Sequence, residues 1–158
     1  MRWSADPRVL RDPVHLVAFG FGAGLSPYAP GTFGTIVGIP FVLLMAPLPL
    51  VAQLVVVLAG FLFGIYVCGE SARRLGVHDH GGIVWDEVVG YAITMLAAPA
   101  EPLWLLAGFG LFRFFDIVKP WPIREADHSL KGGVGIMLDD VLAGIFAGAI
   151  LYLVHRLL

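Results

Sequence analysis

Between Leu50 and Cys68 only one strongly polar side chain occurs, Gln53, and this run limits what the chain can fold into more than any other feature. About 20 apolar residues in a helix match the hydrocarbon thickness of a bilayer, so the run predicts a membrane-crossing helix. The composition points the same way: 158 residues hold 10 Lys+Arg and 12 Asp+Glu, so 14% are charged and 58% are apolar. Ordinary globular domains are roughly 25% charged. With a mean hydropathy of +0.85, the chain has more apolar surface than one soluble core of this size can hide. The net charge of −2 argues against a nucleic-acid partner, and a lone cysteine, Cys68, rules out an intrachain disulfide. Met1 to Asp12 mixes Arg2, Arg8 and Arg11 with Asp6 and Asp12, unlike a signal peptide, so the amino terminus is expected to be retained.

The expected fold is all-α: one membrane-embedded domain over 1–158, with about four to five spanning or partly inserted helices. Ile136 to Val154 and Pro102 to Val118 are further candidates with charged ends and apolar middles. Thr32 to Ala46 and Ile83 to Ala98 are shorter, and would tilt, thin the bilayer or insert partly. His15 to Leu25, interrupted by Gly20, Gly22 and Gly24, suits a short half-inserted helix.

The distribution of basic residues sets the orientation, because Lys and Arg collect on the cytoplasmic side. Counting five crossings from Thr32 to Val154, Arg2, Arg8 and Arg11 precede the first, Arg73 and Arg74 follow the second, and Lys119, Arg124 and Lys131 follow the fourth. The intervening loops hold no charge (Pro47 to Pro49) or Glu101 alone, and only Arg156 departs from the pattern. The amino terminus is therefore expected in the cytoplasm, with Asp86, Glu87, Arg113, Asp116, Asp139 and Asp140 all at cytoplasmic helix ends.

Carboxylates at membrane depth cost about 2.5–3.5 kcal/mol each at a helix centre, so these acids need compensation. Hard divalent ions such as Mg²⁺ provide it, because they take oxygen ligands and favour the ionised form. The competing explanation is an acidic first turn favoured by the helix dipole. It suffices for one pair, whereas two pairs plus Asp116 favour a cation site. A faint echo links Gly81-Gly82 with Asp86-Glu87 and Gly132-Gly133 with Asp139-Asp140: in each a glycine pair precedes an acidic pair opening a helix.

Other features each carry two readings. Pro30-Gly31-Thr32 enters a helix whose free N–H groups could meet a phosphate oxygen, with Thr32 as N-cap, or is an ordinary cap. Arg113 and Asp116 share a helix face as a buried ion pair, or Arg113 and Lys119 grip phosphate while Asp116 joins the cation site. His78 and His80 are solvated loop residues or an acid/base pair. Trp121 stands where an interfacial anchor belongs. Cys68 and Arg74 have the spacing of thiolate phosphatases, but Cys68 ends an apolar helix that continues through Arg74 without a glycine-rich loop, so a structural thiol is expected.

In order along the chain, Gly22-Ala23-Gly24-Leu25-Ser26-Pro27 with Ala29-Pro30-Gly31-Thr32, Asp79-His80-Gly81 with Ile83-Val84-Trp85-Asp86-Glu87, Phe112-Arg113 with Asp116, Lys119-Pro120-Trp121-Pro122-Ile123, and Gly132-Gly133 with Gly135-Ile136-Met137-Leu138-Asp139-Asp140 resemble the signature blocks of the phosphatidylglycerophosphatase A family. The resemblance runs from about His15 to Tyr152. It implies a Mg²⁺-dependent phosphatase of the bacterial inner membrane, multi-pass, acting on phosphatidylglycerophosphate in the bilayer from the cytoplasmic side to give phosphatidylglycerol. The motif acids are Asp79, Asp86, Glu87, Asp116, Asp139 and Asp140, and the motif bases are Arg113 and Lys119. Two positions depart from the pattern: Lys131 stands where histidine is frequent, and His128 where a basic residue is usual. Carried into a mechanism, Asp79, Asp86, Glu87, Asp139 and Asp140 would hold one or two Mg²⁺, Asp116 would join the catalytic acids, and Thr32, Arg113 and Lys119 would bind phosphate. Attack by water and by a carboxylate nucleophile both remain open. The rival from another class is a small ion or proton transporter, which would spread its carboxylates through the membrane thickness.

Overall fold

The computed structural model describes residues 6–158; Arg2 lies outside them. Among the described residues there are helices and no strands. The helices are α1 (Pro13–Ala18), α2 (Pro30–Met45), α3 (Leu50–Leu75), α4 (Trp85–Met95), α5 (Pro102–Val118), α6 (Ile123–Ser129) and α7 (Gly132–Leu157), with 3₁₀ turns at Pro7–Arg11 and Gly20–Leu25. Two of them, α3 and α7, are long and apolar enough to cross a membrane. Of the expected four to five spanning or partly inserted helices, these two have the length of a full span among the described residues. α4 has 11 residues and α5 has 17, which at 1.5 Å per residue reach only about 16 and 25 Å.

α7 is the hub, packing against α3, α4, α5 and α6. Its inward stripe is Gly133, Ile136, Met137, Asp140, Ala143, Gly144, Ala147, Gly148 and Leu151, all buried, a helical period with a small residue at nearly every turn. Small residues let helix backbones close on one another where lipid gives no hydrophobic push. At the α3–α7 crossing a Cβ on Gly133 would collide with the Ile65 carbonyl, and at the α4–α7 crossing one on Gly144 would collide with the Gly90 carbonyl. Thr94 reinforces that crossing, its hydroxyl donating to the Gly90 carbonyl at 3.1 Å and to the Gly144 carbonyl at 3.3 Å. Tyr91, Phe112, Ala143, Ala147 and Leu151 fill the core among α4, α5 and α7. α3 is the opposite case: only 17% of its apolar window is buried, leaving Leu54, Val55, Leu58, Leu62 and Phe63 facing outward.

Three local expectations need correction. His15 to Leu25 is not one half-inserted helix, because α1 ends at Ala18 and Phe21 and Gly22 take left-handed conformations. α2 is capped at Ala29, not Thr32, since Pro30 fixes the first helical turn and the Thr32 amide donates to the Ala29 carbonyl at 2.9 Å. α7 begins at Gly132, so Asp139 and Asp140 lie about two turns inside it rather than in its first turn. The glycines do not break that helix, because Gly133 and Gly135 are held against the carbonyls of Ile65 and Leu130 where no side chain fits.

Candidate active site

Asp86 and Glu87 occupy the first turn of α4, as expected, and both are drawn inward rather than left solvated. Trp85 anchors the turn: its indole N–H donates to the Gly60 carbonyl on α3 at 3.1 Å. The preceding segment is tied down by the Val84 amide, which donates to the Ala18 carbonyl at 2.8 Å. Asp116, in the last turn of α5, comes in from one side, and Asp139 and Asp140 on α7 from the other. Asp86, Asp116, Asp139 and Asp140 are 8%, 9%, 5% and 2% exposed.

The five acids form two groups that share one member. Asp86, Glu87 and Asp140 each offer an oxygen within 4.8 Å of the others, and so do Asp116, Asp139 and Asp140. Helix-dipole stabilisation accounts for Asp86 and Glu87 but not for Asp139 and Asp140, which stand well past the last unpaired amide of α7. Buried polar oxygens are almost always partnered. Here Asp86 Oδ1, Glu87 Oε2, Asp139 Oδ1 and Asp140 Oδ2 are buried and carry no hydrogen bond. Three or more clustered, unsatisfied carboxylate oxygens are what a hard divalent cation binds.

Two bases border the acids. Arg113 pairs with Asp116 on its own helix and stands 3.9 Å from Glu87. Its guanidinium also lies against Gly31, where any Cβ would meet Arg113 and Glu87 Oε1. The start of α2 therefore does reach the site, but through Gly31; Thr32 is only partly buried and its amide is already engaged. Lys119, in a left-handed turn after α5, donates to Asp139 Oδ2 at 2.6 Å and stands 3.4 Å from Asp127. Burial disfavours its ammonium, yet the carboxylates of Asp139, Asp127 and Asp140 together outweigh that and raise its pKa.

Asp79 is not brought into either carboxylate group. It lines a separate cavity of about 290 Å³ with His78, Asp127, His128, Gly135 and Ile136. His80 packs its ring against Phe19, and burial, then the nearby His15, lower its pKa. Asp127, the second partner of Lys119, was not singled out in the sequence; its one signal is the helix-forming run Ile123-Arg124-Glu125-Ala126 after Pro122. Cys68 is fully buried with its Sγ 3.9 Å from Met137 Sδ, a packing role, and α3 does run on past it to Leu75. Trp121 is 74% exposed, in keeping with an anchor.

Buried carboxylates from three helices, with unsatisfied oxygens and a flanking guanidinium, are the residue set by which phosphoester-cleaving enzymes handle a divalent ion and a phosphate. The chain belongs to the phosphatidylglycerophosphatase A family, a family of phosphatases, whose profile matches residues 16–155. Phosphatidylglycerophosphatase A of Escherichia coli K12 is 49% identical over 146 residues, covering 92% of this chain and 85% of the relative. The protein of the same name from Haemophilus influenzae is 48% identical over 148 residues, covering 92% and 91%. A Bacteroides thetaiotaomicron relative, 43% identical over 141 residues and covering 84% and 87%, carries a name proposing a phosphatidylinositol-3-phosphatase. No solved structure matches the chain.

Proposed function

We propose that this chain, acting as one domain, removes the terminal phosphate of phosphatidylglycerophosphate to give phosphatidylglycerol and inorganic phosphate. It would do so with Mg²⁺, as a multi-pass protein of the bacterial inner membrane whose site opens to the cytoplasm. The observation that carries the reading is the convergence of Asp86, Glu87, Asp116, Asp139 and Asp140 into two groups joined at Asp140. Two relatives named for this activity support the substrate. The unpartnered oxygens of Asp86, Glu87, Asp139 and Asp140 fit the cation.

Asp86, Glu87, Asp116, Asp139 and Asp140 would hold Mg²⁺, which when bound supplies positive charge against the phosphoryl oxygens and lowers the pKa of a water. Arg113 presents the donor fork that matches phosphate geometry, and its Nε carries no hydrogen bond. Gly31 leaves room for that fork at the start of α2, whose dipole favours an anion. Lys119 fixes the carboxylate of Asp139 rather than standing free for substrate. The lipid tails need not leave the bilayer, because the acids cluster together where the start of α4 and the end of α5 meet α7 about two turns from its own start. That clustering also favours an enzyme over an ion pathway, which calls for carboxylates spaced along the span.

Purified protein in detergent, given phosphatidylglycerophosphate and Mg²⁺, should release inorganic phosphate; chelation should stop the release and added Mg²⁺ restore it. Absence of release, or release indifferent to chelation, would sink the proposal. Phosphatidylinositol 3-phosphate in parallel should be a much poorer substrate.

A further inference from the structure

Building on the reading of these acids as a divalent-cation site, we propose that they form two sites of unequal affinity: a tight one from Asp86, Glu87 and Asp140, and a weaker one from Asp116, Asp139 and Asp140. The two groups contain the same number of carboxylates but differ in how far their charge is already neutralised. In the Asp139 group, Lys119 donates to Asp139 at 2.6 Å and Arg113 pairs directly with Asp116. A cation arriving there meets two resident positive charges. In the Glu87 group the one ion pair among the described residues is the long contact of Arg113 to Glu87 at 3.9 Å, and none engages Asp86 or Asp140.

An independent observation ranks them the same way. All three members of the Glu87 group carry a buried oxygen with no hydrogen-bond partner, Asp86 Oδ1, Glu87 Oε2 and Asp140 Oδ2, and Asp86 and Asp140 are more than nine-tenths buried. In the Asp139 group Asp116 has no such oxygen. The first group is thus an unsatisfied cage, and the second is one that a cation must partly take from existing partners. Charge repulsion across a few ångströms in a partly buried site separates the two dissociation constants by at least about tenfold.

The test titrates chelator-treated full-length protein in detergent with Mn²⁺, following free ion by electron paramagnetic resonance. Two classes of site are expected, differing at least about tenfold in affinity, with spin–spin broadening on filling the second because the sites share Asp140. Glu87→Gln should abolish the tight class and spare the weak one. Lys119→Met, which removes the competing ammonium, should tighten the weak class several-fold. That gain is something a merely structural role for Lys119 does not produce. One class of site, two of equal affinity, or weaker binding in Lys119→Met would overturn the inequality while leaving the phosphatase reading intact. If the protein binds no Mn²⁺, the proposed cation sites fall, and phosphate release by the same preparation without added metal reports separately whether the activity survives.

Discussion

Replacing Gly90 by alanine tests whether the spacing of the acids is set by how closely α4 and α7 approach. A Cβ at Gly90 would meet Phe112 Cε2 at 2.6 Å and the Asp140 carbonyl oxygen at 2.8 Å. Comfortable carbon contacts begin near 3.5 Å, so the neighbours must part by about 0.7–0.9 Å. The Phe112 ring can turn aside; the α7 backbone cannot without moving Asp140 itself. Overpacking of this kind costs about 1–3 kcal/mol, and alanine returns about 1 kcal/mol in helix propensity. The net loss is then about 0–2 kcal/mol, and the fold survives. Asp86 lies one turn before Gly90 on the same face, so the shift is delivered to the carboxylate cluster, where a displacement near 1 Å costs about 100-fold in rate. The expected outcome is a phosphate-release rate down about 10- to 100-fold, with the thermal midpoint in detergent lowered by only a few degrees. Gly148→Ala is the control, because its Cβ would find the Thr94 carbonyl at an ordinary 3.4 Å, and it should keep full activity. Near-normal rates in Gly90→Ala, or equal losses in both variants, would refute the argument.

Asp86→Asn and Asp139→Asn should each lower activity at least about 100-fold, beyond the cost of losing an outer-shell partner; thermal stability should be unchanged or higher in Asp86→Asn, which removes one of several crowded negative charges, and lower in Asp139→Asn, which takes from Lys119 its 2.6 Å partner. Cys68→Ala should cost about 1 kcal/mol through the small void left beside Met137 and leave kcat unchanged, measured by phosphate release and thermal melting; an inactive but folded variant would restore the thiolate mechanism. Ala29→Gly should raise the midpoint by about 2–4 °C, since Ala29 sits at φ 44°, a left-handed conformation that costs a side-chain-bearing residue about 1–2 kcal/mol.

Much of this was legible before any coordinates. α5 occupies the residues its apolar run marked, Pro102 to Val118, because Pro102 opens it and Pro120 follows its end. The acids were legible as a set because charge in an apolar chain needs a reason. What escaped was tertiary. A glycine-rich run such as Gly132 to Gly135 reads locally as a break, and only the carbonyls of Ile65 and Leu130 pressing on it reveal a helix. α6 is short and polar, with no periodicity to find, so Asp127 stayed hidden although it steadies Lys119. Asp79 carries the family pattern yet lines a cavity with His78, Asp127 and His128 and joins neither carboxylate group, a placement that sequence order does not encode.

Arg113 touches three helices at once: Gly31 on α2, Glu87 on α4 and Asp116 on its own. An anion that draws this fork toward itself must loosen it from both carboxylates, leaving them more negative than before. Anion and cation then help one another without touching, and linkage requires the help to be mutual and equal in size. For the proposed sites this means that phosphate should tighten cation binding, and the cation phosphate binding, by the same factor.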